Sequence, residues 1–363
     1  MNGALFIPNL GGGGAERTTL TLAGGLQARG HSVELVVGRA RGSLADEVPA
    51  GVPVVELRAD RLRTALPALV GYLRSRRPDY LMPTIEHANV LSLLARALAR
   101  TETMVIVRVA NSLSEIAAAG TPAERFTLLL ARRLYRRADA LVACSFGMAD
   151  DLASFVGADP LTIRTLPNPL AATDIIHLAT APISHPWFSR GEPPVILAVG
   201  SLRSKKNVPL LLEAFARVQR HRRARLLILG DGPERPSIER KLEVLGIGND
   251  VALPGFDPNP FRYMSRCAVF ALSSNREGLP GVLIEALMCR ANIVSTDCRS
   301  GPREILDGGR YGRLVPVGDE EALARGLIAA LDNPTMPPSQ SWAPYTSERA
   351  TNAYAELIEG LAR

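Results

Sequence analysis

Two glutamates eight residues apart, Glu277 and Glu285, stand in the run Ser273-Ser274-Asn275-Arg276-Glu277-Gly278-Leu279-Pro280-Gly281-Val282-Leu283-Ile284-Glu285-Ala286-Leu287. A carboxylate can accept two hydrogen bonds from a vicinal diol, so the pair suits the hydroxyls of a sugar. Exposed helix charge is the ordinary reading of any glutamate, yet Glu285 is flanked by Leu283, Ile284, Ala286 and Leu287, where a solvated face is harder to arrange. Pro280 suits the first turn of a helix, and Gly278 and Gly281 leave amides accessible. The loop can therefore present donors to a diphosphate.

A departing diphosphate also needs a fixed cation, because negative charge grows on it as it leaves. Arg203, Lys205 and Lys206 follow the apolar run Val195 to Val199 and Gly200. Taken singly, each would be a surface charge. Their position after the first strand of a second α/β domain, alongside the Glu277 loop, points to the same site. A third group, Gly11 to Gly14, lies between a strand and a helix, where bare backbone can approach a phosphate or a sugar. A plain βα turn is the alternative. The dinucleotide fingerprint GxGxxG is not met, since its third glycine falls on Glu16 or Arg17, and the second strand does not end in an acid. A nicotinamide site is disfavoured.

These residues need elements to position them. Apolar, β-rich runs at Ala4 to Pro8, Val33 to Val37, Val54 to Leu57, Tyr80 to Pro83, Met104 to Val107, Ala140 to Ala143 and Thr162 to Leu166 alternate with helical stretches such as Ala15 to Arg29, which ends at Gly30. The alternation resumes from Val195 and includes the predicted helices Val208 to Arg220, Ser237 to Leu245, Val282 to Cys289 and Glu320 to Leu331. Between them the proline-rich segment 167–194, with Trp187 as an anchor, reads as a linker. The expectation is an α/β protein of two doubly wound, Rossmann-like domains, 1–180 and 190–340, facing across a cleft, with a final helix in 345–363 crossing back to the first.

The length of 363 residues exceeds what one core usually serves, and 47% hydrophobic with 21% charged residues excludes a disordered or coiled-coil chain. No apolar run reaches the roughly 18 residues of a membrane helix. The opening residues read as a strand rather than a signal peptide, so a cytoplasmic protein is expected. Four cysteines without a CxxC pair or zinc-like spacing suggest packing, with no metal site. The formal charge of +6, carried almost wholly by arginine, suits anionic partners such as phosphates or an acidic lipid surface. No recognition helix or aromatic-rich basic stripe points to nucleic acid, and aromatics are only 5%.

Several ordered motifs together resemble glycosyltransferase family 4. They are Gly13-Gly14-Ala15-Glu16-Arg17, Pro167-Asn168-Pro169, Gly200-Ser201-Leu202-Arg203-Ser204-Lys205-Lys206-Asn207, Leu229-Gly230-Asp231-Gly232-Pro233, the Glu277 to Glu285 segment, and Ser300-Gly301-Pro302-Arg303-Glu304-Ile305-Leu306. The resemblance spans nearly the whole chain. It implies a GT-B fold and retaining transfer from a nucleotide-sugar to a hydroxyl acceptor, with no cofactor and no obligatory metal. By position, Lys206 would hold the donor diphosphate, Glu277 would touch the transferred sugar, and Glu285 would bond the ribose. The Leu279, Pro280, Gly281 and Val282 stretch would support sugar and phosphate, and Gly12, Gly13 and Gly14 would close over the donor. Where many members carry arginine after the first-motif glycine, this chain has Ser201, and Arg203 stands nearby as a substitute. Where many carry a histidine after the fifth strand, it has Arg108 and Asn111. His87 is the nearest imidazole to that place, with a structural role as its alternative.

The acceptor is less defined. The helical stretch Phe126 to Arg137 combines Leu128, Leu129, Leu130, Leu134 and Tyr135 with four arginines, which suits either an anionic bilayer or a helix whose leucines face the sheet. Arg61, Arg63, Arg74, Arg76 and Arg77 would extend the basic face. Bacterial members of the family often extend lipid-linked or cell-envelope glycans, so the resemblance implies a UDP-sugar donor, a lipid-linked or surface-glycan acceptor, and a peripheral place on the inner face of the cytoplasmic membrane. A nucleotide-sugar epimerase or hydrolase of the same architecture is the alternative enzyme, and a non-catalytic binding subunit the alternative outside catalysis.

Overall fold

Strands that are apolar on both faces, such as Val195–Val199, belong in parallel sheets covered by helices on both sides. Among the described residues, every strand pair is parallel. The computed structural model describes residues 1–11, 13–59 and 62–362, and the side chains of these except Leu62, Arg63 and Ala119. It divides into two α/β units, Met1–Leu170 with Tyr345–Arg363, and Ala171–Pro344.

Among the described residues, the first unit carries a seven-stranded sheet ordered β3-β2-β1-β4-β5-β6-β7. Its strands are β1 (Asn2–Ile7), β2 (Ser32–Val37), β3 (Val54–Glu56), β4 (Tyr80–Pro83), β5 (Met104–Val109), β6 (Ala140–Ala143) and β7 (Arg164–Thr165). The second carries a six-stranded sheet ordered β10-β9-β8-β11-β12-β13. Its strands are β8 (Val195–Val199), β9 (Arg225–Leu229), β10 (Val251–Gly255), β11 (Val269–Leu272), β12 (Ile293–Thr296) and β13 (Arg313–Val315). In each sheet the chain winds outward from a central strand, then returns to that strand's other side. That reversal lies between β1 and β4 in the first sheet and between β8 and β11 in the second. Open α/β sheets bind ligands beyond the carboxyl ends of their strands at such a reversal.

The last helix, Ser347–Leu361, packs in the first unit: Tyr354, Ala355 and Ile358 are buried with Leu5, Leu26 and Leu35. Leu170 N donates to Tyr345 O and Ser347 N to Leu170 O, so the two passages of chain run side by side. One boundary differs from the expectation of a first domain reaching residue 180. Segment 167–194 is not a bare linker, because Ala172–Ala179 is helical and belongs to the second unit. The reason lies in its C-terminal carbonyls. Asn259 Nδ2 donates to Leu178 O at 2.9 Å, Ser265 Oγ to Ala179 O at 3.0 Å and Arg266 Nη1 to Ala181 O at 2.9 Å, so side chains 81 to 86 residues later close the helix. Trp187 does act as an anchor, with the Arg225 guanidinium 5.1 Å from its ring centroid.

Candidate active site

In the second unit, the loops leaving β8 and β11 are laced together. Asn275 N donates to Lys205 O at 2.8 Å, Ser273 Oγ to Lys206 O at 2.9 Å, and Asn207 Nδ2 to Asn275 Oδ1 at 2.8 Å. Asn207 adopts a left-handed conformation, and its side chain caps the helix Val208–His221 by accepting from Leu210 N. This holds the short turn Ser204–Lys206 in place, with Lys206 at its end. Lys206 Nζ donates to Glu277 Oε1 at 2.6 Å, and Ser274 Oγ donates to the same oxygen at 2.7 Å. The Lys206 and Glu277 side chains are only 16% and 7% exposed. A shielded, hydrogen-bonded pair is neutral as a unit, but an ammonium has three donors and spends one here. Lys206 can take an anionic oxygen without releasing Glu277.

The neighbouring β9 loop closes against the β8 loop at Gly230. Its φ is +135°, and a Cβ there would lie 2.0 Å from Gly200 O, so no other residue fits. Lys206 also borders a recess lined by Gly200, Ser201 and Ser273. Arg203 sits on the same loop at the start of the Ser204–Lys206 turn, with its side chain exposed.

The helix carrying the second glutamate is Gly281–Met288. It starts one residue later than a proline in the first turn would imply, with Pro280 as its N-cap at φ −68° and ψ 101°. Leu283, Ile284, Ala286, Leu287 and Met288 are buried, and Leu279 and Pro280 before them as well, while Glu285, Gly281 and Val282 are half-buried. The first-turn amides of Gly281 and Val282 have no preceding helical carbonyl to donate to, which leaves donors and a positive helix end at the strand termini. Glu277 and Glu285 thus bracket the helix start. Nearby, Cys298 Sγ lies 3.1 Å from Ser274 O, and burial pushes its thiol up to about 11, so it stays protonated and packs.

In the first unit, Gly13 is the N-cap and Gly14 the first residue of the helix Gly14–Ala28 after β1; Gly12 lies outside the described residues. Thr19 Oγ1 and Thr84 Oγ1 lie 3.3 Å apart and tie this helix to the end of β4. Ile85 then takes φ +79°, ψ 144°, a genuine outlier for a β-branched residue. The helix Glu86–Ala99 follows, with His87 half-buried in its first turn. Glu86 itself is 5% exposed and accepts from Asn111 Nδ2 at 3.3 and 3.5 Å. Burial holds its carboxyl above the usual carboxylate range.

Arg108, which stands near the expected histidine position, is turned inward and 1% exposed. Its Nε donates to Tyr354 OH at 3.1 Å, and Nη2 donates to Asn168 Oδ1. It therefore clamps the Pro167-Asn168-Pro169 passage and the last helix onto β5. Sequence reasoning missed the burial of Glu86 and the Asn168–Arg108–Tyr354 clamp. An acid directly after a central strand was the available signal for Glu86. Nothing local announces Tyr354, 246 positions from Arg108.

The helix Pro122–Leu134 opens with a capping box at Thr121 and Glu124. Its inner face buries Thr127, Leu128 and Ala131, so only some of its leucines turn inward. Phe126 and Leu129 remain 62% and 57% exposed, alongside exposed Arg125, Arg132, Arg133 and Arg136. Arg74, Arg76 and Arg77 are exposed too, the first two on the helix Leu62–Arg76, and the helix Glu86–Ala99 packs against both that helix and Pro122–Leu134. Arg61 lies outside the described residues, as does the Arg63 side chain. Among the described residues, no helix is long and apolar enough to cross a membrane.

Comparison with known proteins agrees with the two-unit arrangement. The family described as "Glycosyl transferase 4-like domain" matches residues 13–169, and "Glycosyl transferases group 1" matches 182–349. Among curated relatives, the N-acetylgalactosamine-N,N'-diacetylbacillosaminyl-diphospho-undecaprenol 4-alpha-N-acetylgalactosaminyltransferase of Campylobacter jejuni is 28% identical over 345 residues, covering 91% of this chain and 90% of its own. The lipopolysaccharide core biosynthesis glycosyltransferase LpsE of Rhizobium meliloti is 26% identical, covering 87% of this chain and 84% of its own. Among solved structures, Anabaena Alr3699/HepE in complex with UDP and glucose superposes with a TM-score of 0.81 at 18% identity, over 99% of this chain and 100% of the other. With these two families on its two units and the GT-B fold of its structural neighbours, the chain belongs to the family 4 type of glycosyltransferases.

Proposed function

We propose that the protein is a retaining hexosyltransferase that moves a sugar from a UDP-sugar to a hydroxyl of a lipid-linked or cell-surface glycan, without a metal. The observation that carries this reading is the shielded Lys206–Glu277 pair, 2.6 Å apart at the reversal of the second sheet beside the free amides of a helix start. In this reading the donor diphosphate rests on Lys206 and the Gly281 and Val282 amides, Glu277 turns to the transferred sugar, and Glu285 accepts from the ribose diol. The bond from the anomeric carbon to the phosphate oxygen breaks with its electron pair passing to the diphosphate. The acceptor oxygen bonds to the same face, and its proton goes to that diphosphate. Lys206 stabilises the charge as it develops, the task a metal performs elsewhere. Arg203, exposed on the same loop, is a second cation that would join it. His87 and the Glu86–Asn111 pair stand at the other reversal, on the unit we assign to the acceptor.

UDP in a structural neighbour and the diphospho-undecaprenol acceptor named for a relative support the choice of donor and acceptor class. The exposed Phe126 and Leu129 among arginines fit a helix lying on an anionic membrane surface, as a polyprenyl-anchored acceptor would require. The test is incubation of the purified protein with UDP-sugars and a polyprenyl-diphosphate glycan. We expect acceptor-dependent release of UDP and a product with the donor's anomeric configuration. Epimerised or free sugar without acceptor dependence would replace transfer by the epimerase or hydrolase reading, and an inverted product would overturn retention.

A further inference from the structure

We propose that Ser274, held by Thr296 and Cys298, is a positioning residue for the transfer: it loads one oxygen of Glu277 and leaves the other to read a hydrogen-bond donor on the transferred sugar. The inference rests on the proposed placement of the donor sugar at Glu277 and adds the layer that orients that acid.

The ladder between β11 and β12 ends with Leu272 beside Ser295. Beyond it the chain leaves the sheet, and side chains supply the donors that the backbone no longer gives. Thr296 Oγ1 donates to Ser274 O at 2.6 Å, and Cys298 Sγ donates to the same oxygen at 3.1 Å. Ser274, Thr296 and Cys298 are all buried. On the other side, Asn275 N donates to Lys205 O and Ser273 Oγ to Lys206 O. The stretch 273–275 is therefore fixed both from the β8 loop and from the end of β12, and this aims the Ser274 hydroxyl at Glu277.

Both hydrogen bonds to the Glu277 carboxylate fall on one atom. Lys206 Nζ and Ser274 Oγ reach Oε1 at 2.6 and 2.7 Å, which fills its lone pairs. Among the described residues none donates to Oε2, and that atom is not fully buried. A carboxylate only accepts, so the sugar group that Oε2 takes is an O–H or N–H donor. Ser274 also makes the acid independent of its cation. A hydroxyl on a carboxylate is a short, charge-assisted contact, and it keeps Glu277 in place when the Lys206 ammonium is drawn toward a phosphate. Without Ser274 the acid would follow the lysine, and the sugar would lose a fixed partner while the diphosphate kept its own.

The test uses the full-length protein and reads affinity by calorimetric titration with UDP and with UDP-glucose, UDP-galactose, UDP-N-acetylglucosamine and UDP-N-acetylgalactosamine. Wild type is compared with Ser274→Ala, Thr296→Val and Thr296→Ser, and a circular dichroism melt reports folding in each. We expect at least one UDP-sugar to bind wild type, and its Kd relative to that of UDP to rise about fivefold or more in Ser274→Ala, with UDP affinity itself changing less than about twofold. Thr296→Val, which keeps the shape and removes the donor, should raise the same ratio by a smaller factor, and Thr296→Ser, which returns the hydroxyl, should restore it. An unchanged ratio in Ser274→Ala would overturn the assignment. So would equal losses of UDP and UDP-sugar affinity, because a merely structural serine loosens the whole loop. Should Ser274→Ala fail to fold, a ratio unchanged in Thr296→Val, or one that Thr296→Ser does not restore, overturns it in the same way. UDP bound by wild type with no UDP-sugar bound would overturn this assignment alone, while absence of UDP binding would sink the donor reading and the assignment with it.

Discussion

The two sheet reversals are built on opposite electrostatic plans. Between β8 and β11, cation and anion meet: Lys206 and Glu277 are paired at 2.6 Å, and Ser274 supports the acid. Around the end of β4 in the first sheet, charges are buried apart. Among the described residues, Glu86 has an amide rather than a cation beside it, and Arg108 has a phenol and an amide rather than an acid, with its Nη1 lacking any hydrogen-bond partner. A paired site can exchange partners with a charged ligand at small cost, since each ion is never left bare. Isolated buried charges cost stability. The difference fits the roles we propose, with the ionic donor on the second unit and a neutral acceptor hydroxyl on the first.

The contrast can be broken most severely at Lys206. Replacing it with alanine should lower turnover on the order of 10²-fold or more, since it removes the cation that meets the leaving diphosphate; a rate near wild type would remove it from that role. Glu285→Ala should act on binding instead, raising the UDP-sugar Kd by roughly tenfold, the worth of a charge-assisted hydrogen bond. Turnover lost with donor affinity kept would contradict the ribose assignment. Glu86→Gln sharpens the other side. Because burial raises the Glu86 pKa in the folded protein above its ordinary 4.5, the folded state holds that proton more tightly than the unfolded chain. Its favourable contribution is therefore present below 4.5 and lost as pH rises through the raised value. The glutamine variant should melt roughly 2–4 °C higher than wild type at about pH 8 and no higher at about pH 4. A gain independent of pH would show that Glu86 is not a buried, desolvated acid. The smallest expected effect is that of a chelator: EDTA should leave turnover unchanged, and a loss restored by Mg²⁺ or Mn²⁺ would replace Lys206 as the chief counter-charge.

How far the sequence carries these two regions follows the same division. The second site is legible because its parts are local: Gly200 to Asn207 and Ser273 to Leu287 each lie in one run after an apolar strand, and their strands are neighbours. The strands Tyr80–Pro83, Ala140–Ala143, Val195–Val199 and Arg225–Leu229 are likewise marked by short apolar runs. β13 escapes because Arg313–Val315 is three residues of mixed character. The helix Ala172–Ala179 hides among prolines, and its stabilising partners Asn259, Ser265 and Arg266 are remote. Arg108 shows the general limit. In the sequence it only stands where a histidine is expected, and the distant Tyr354 and Asn168 reveal that it is spent on holding the last helix.

The central claim is that a nucleoside diphosphate rests at the β8–β11 reversal. Its most direct measurement is a crystal structure of the protein with UDP. The account predicts diphosphate oxygens within hydrogen-bonding distance of Lys206 Nζ and the Gly281 and Val282 amides, with the ribose diol on Glu285. UDP bound elsewhere, or a ribose turned away from Glu285 with Lys206 still locked only to Glu277, would contradict it.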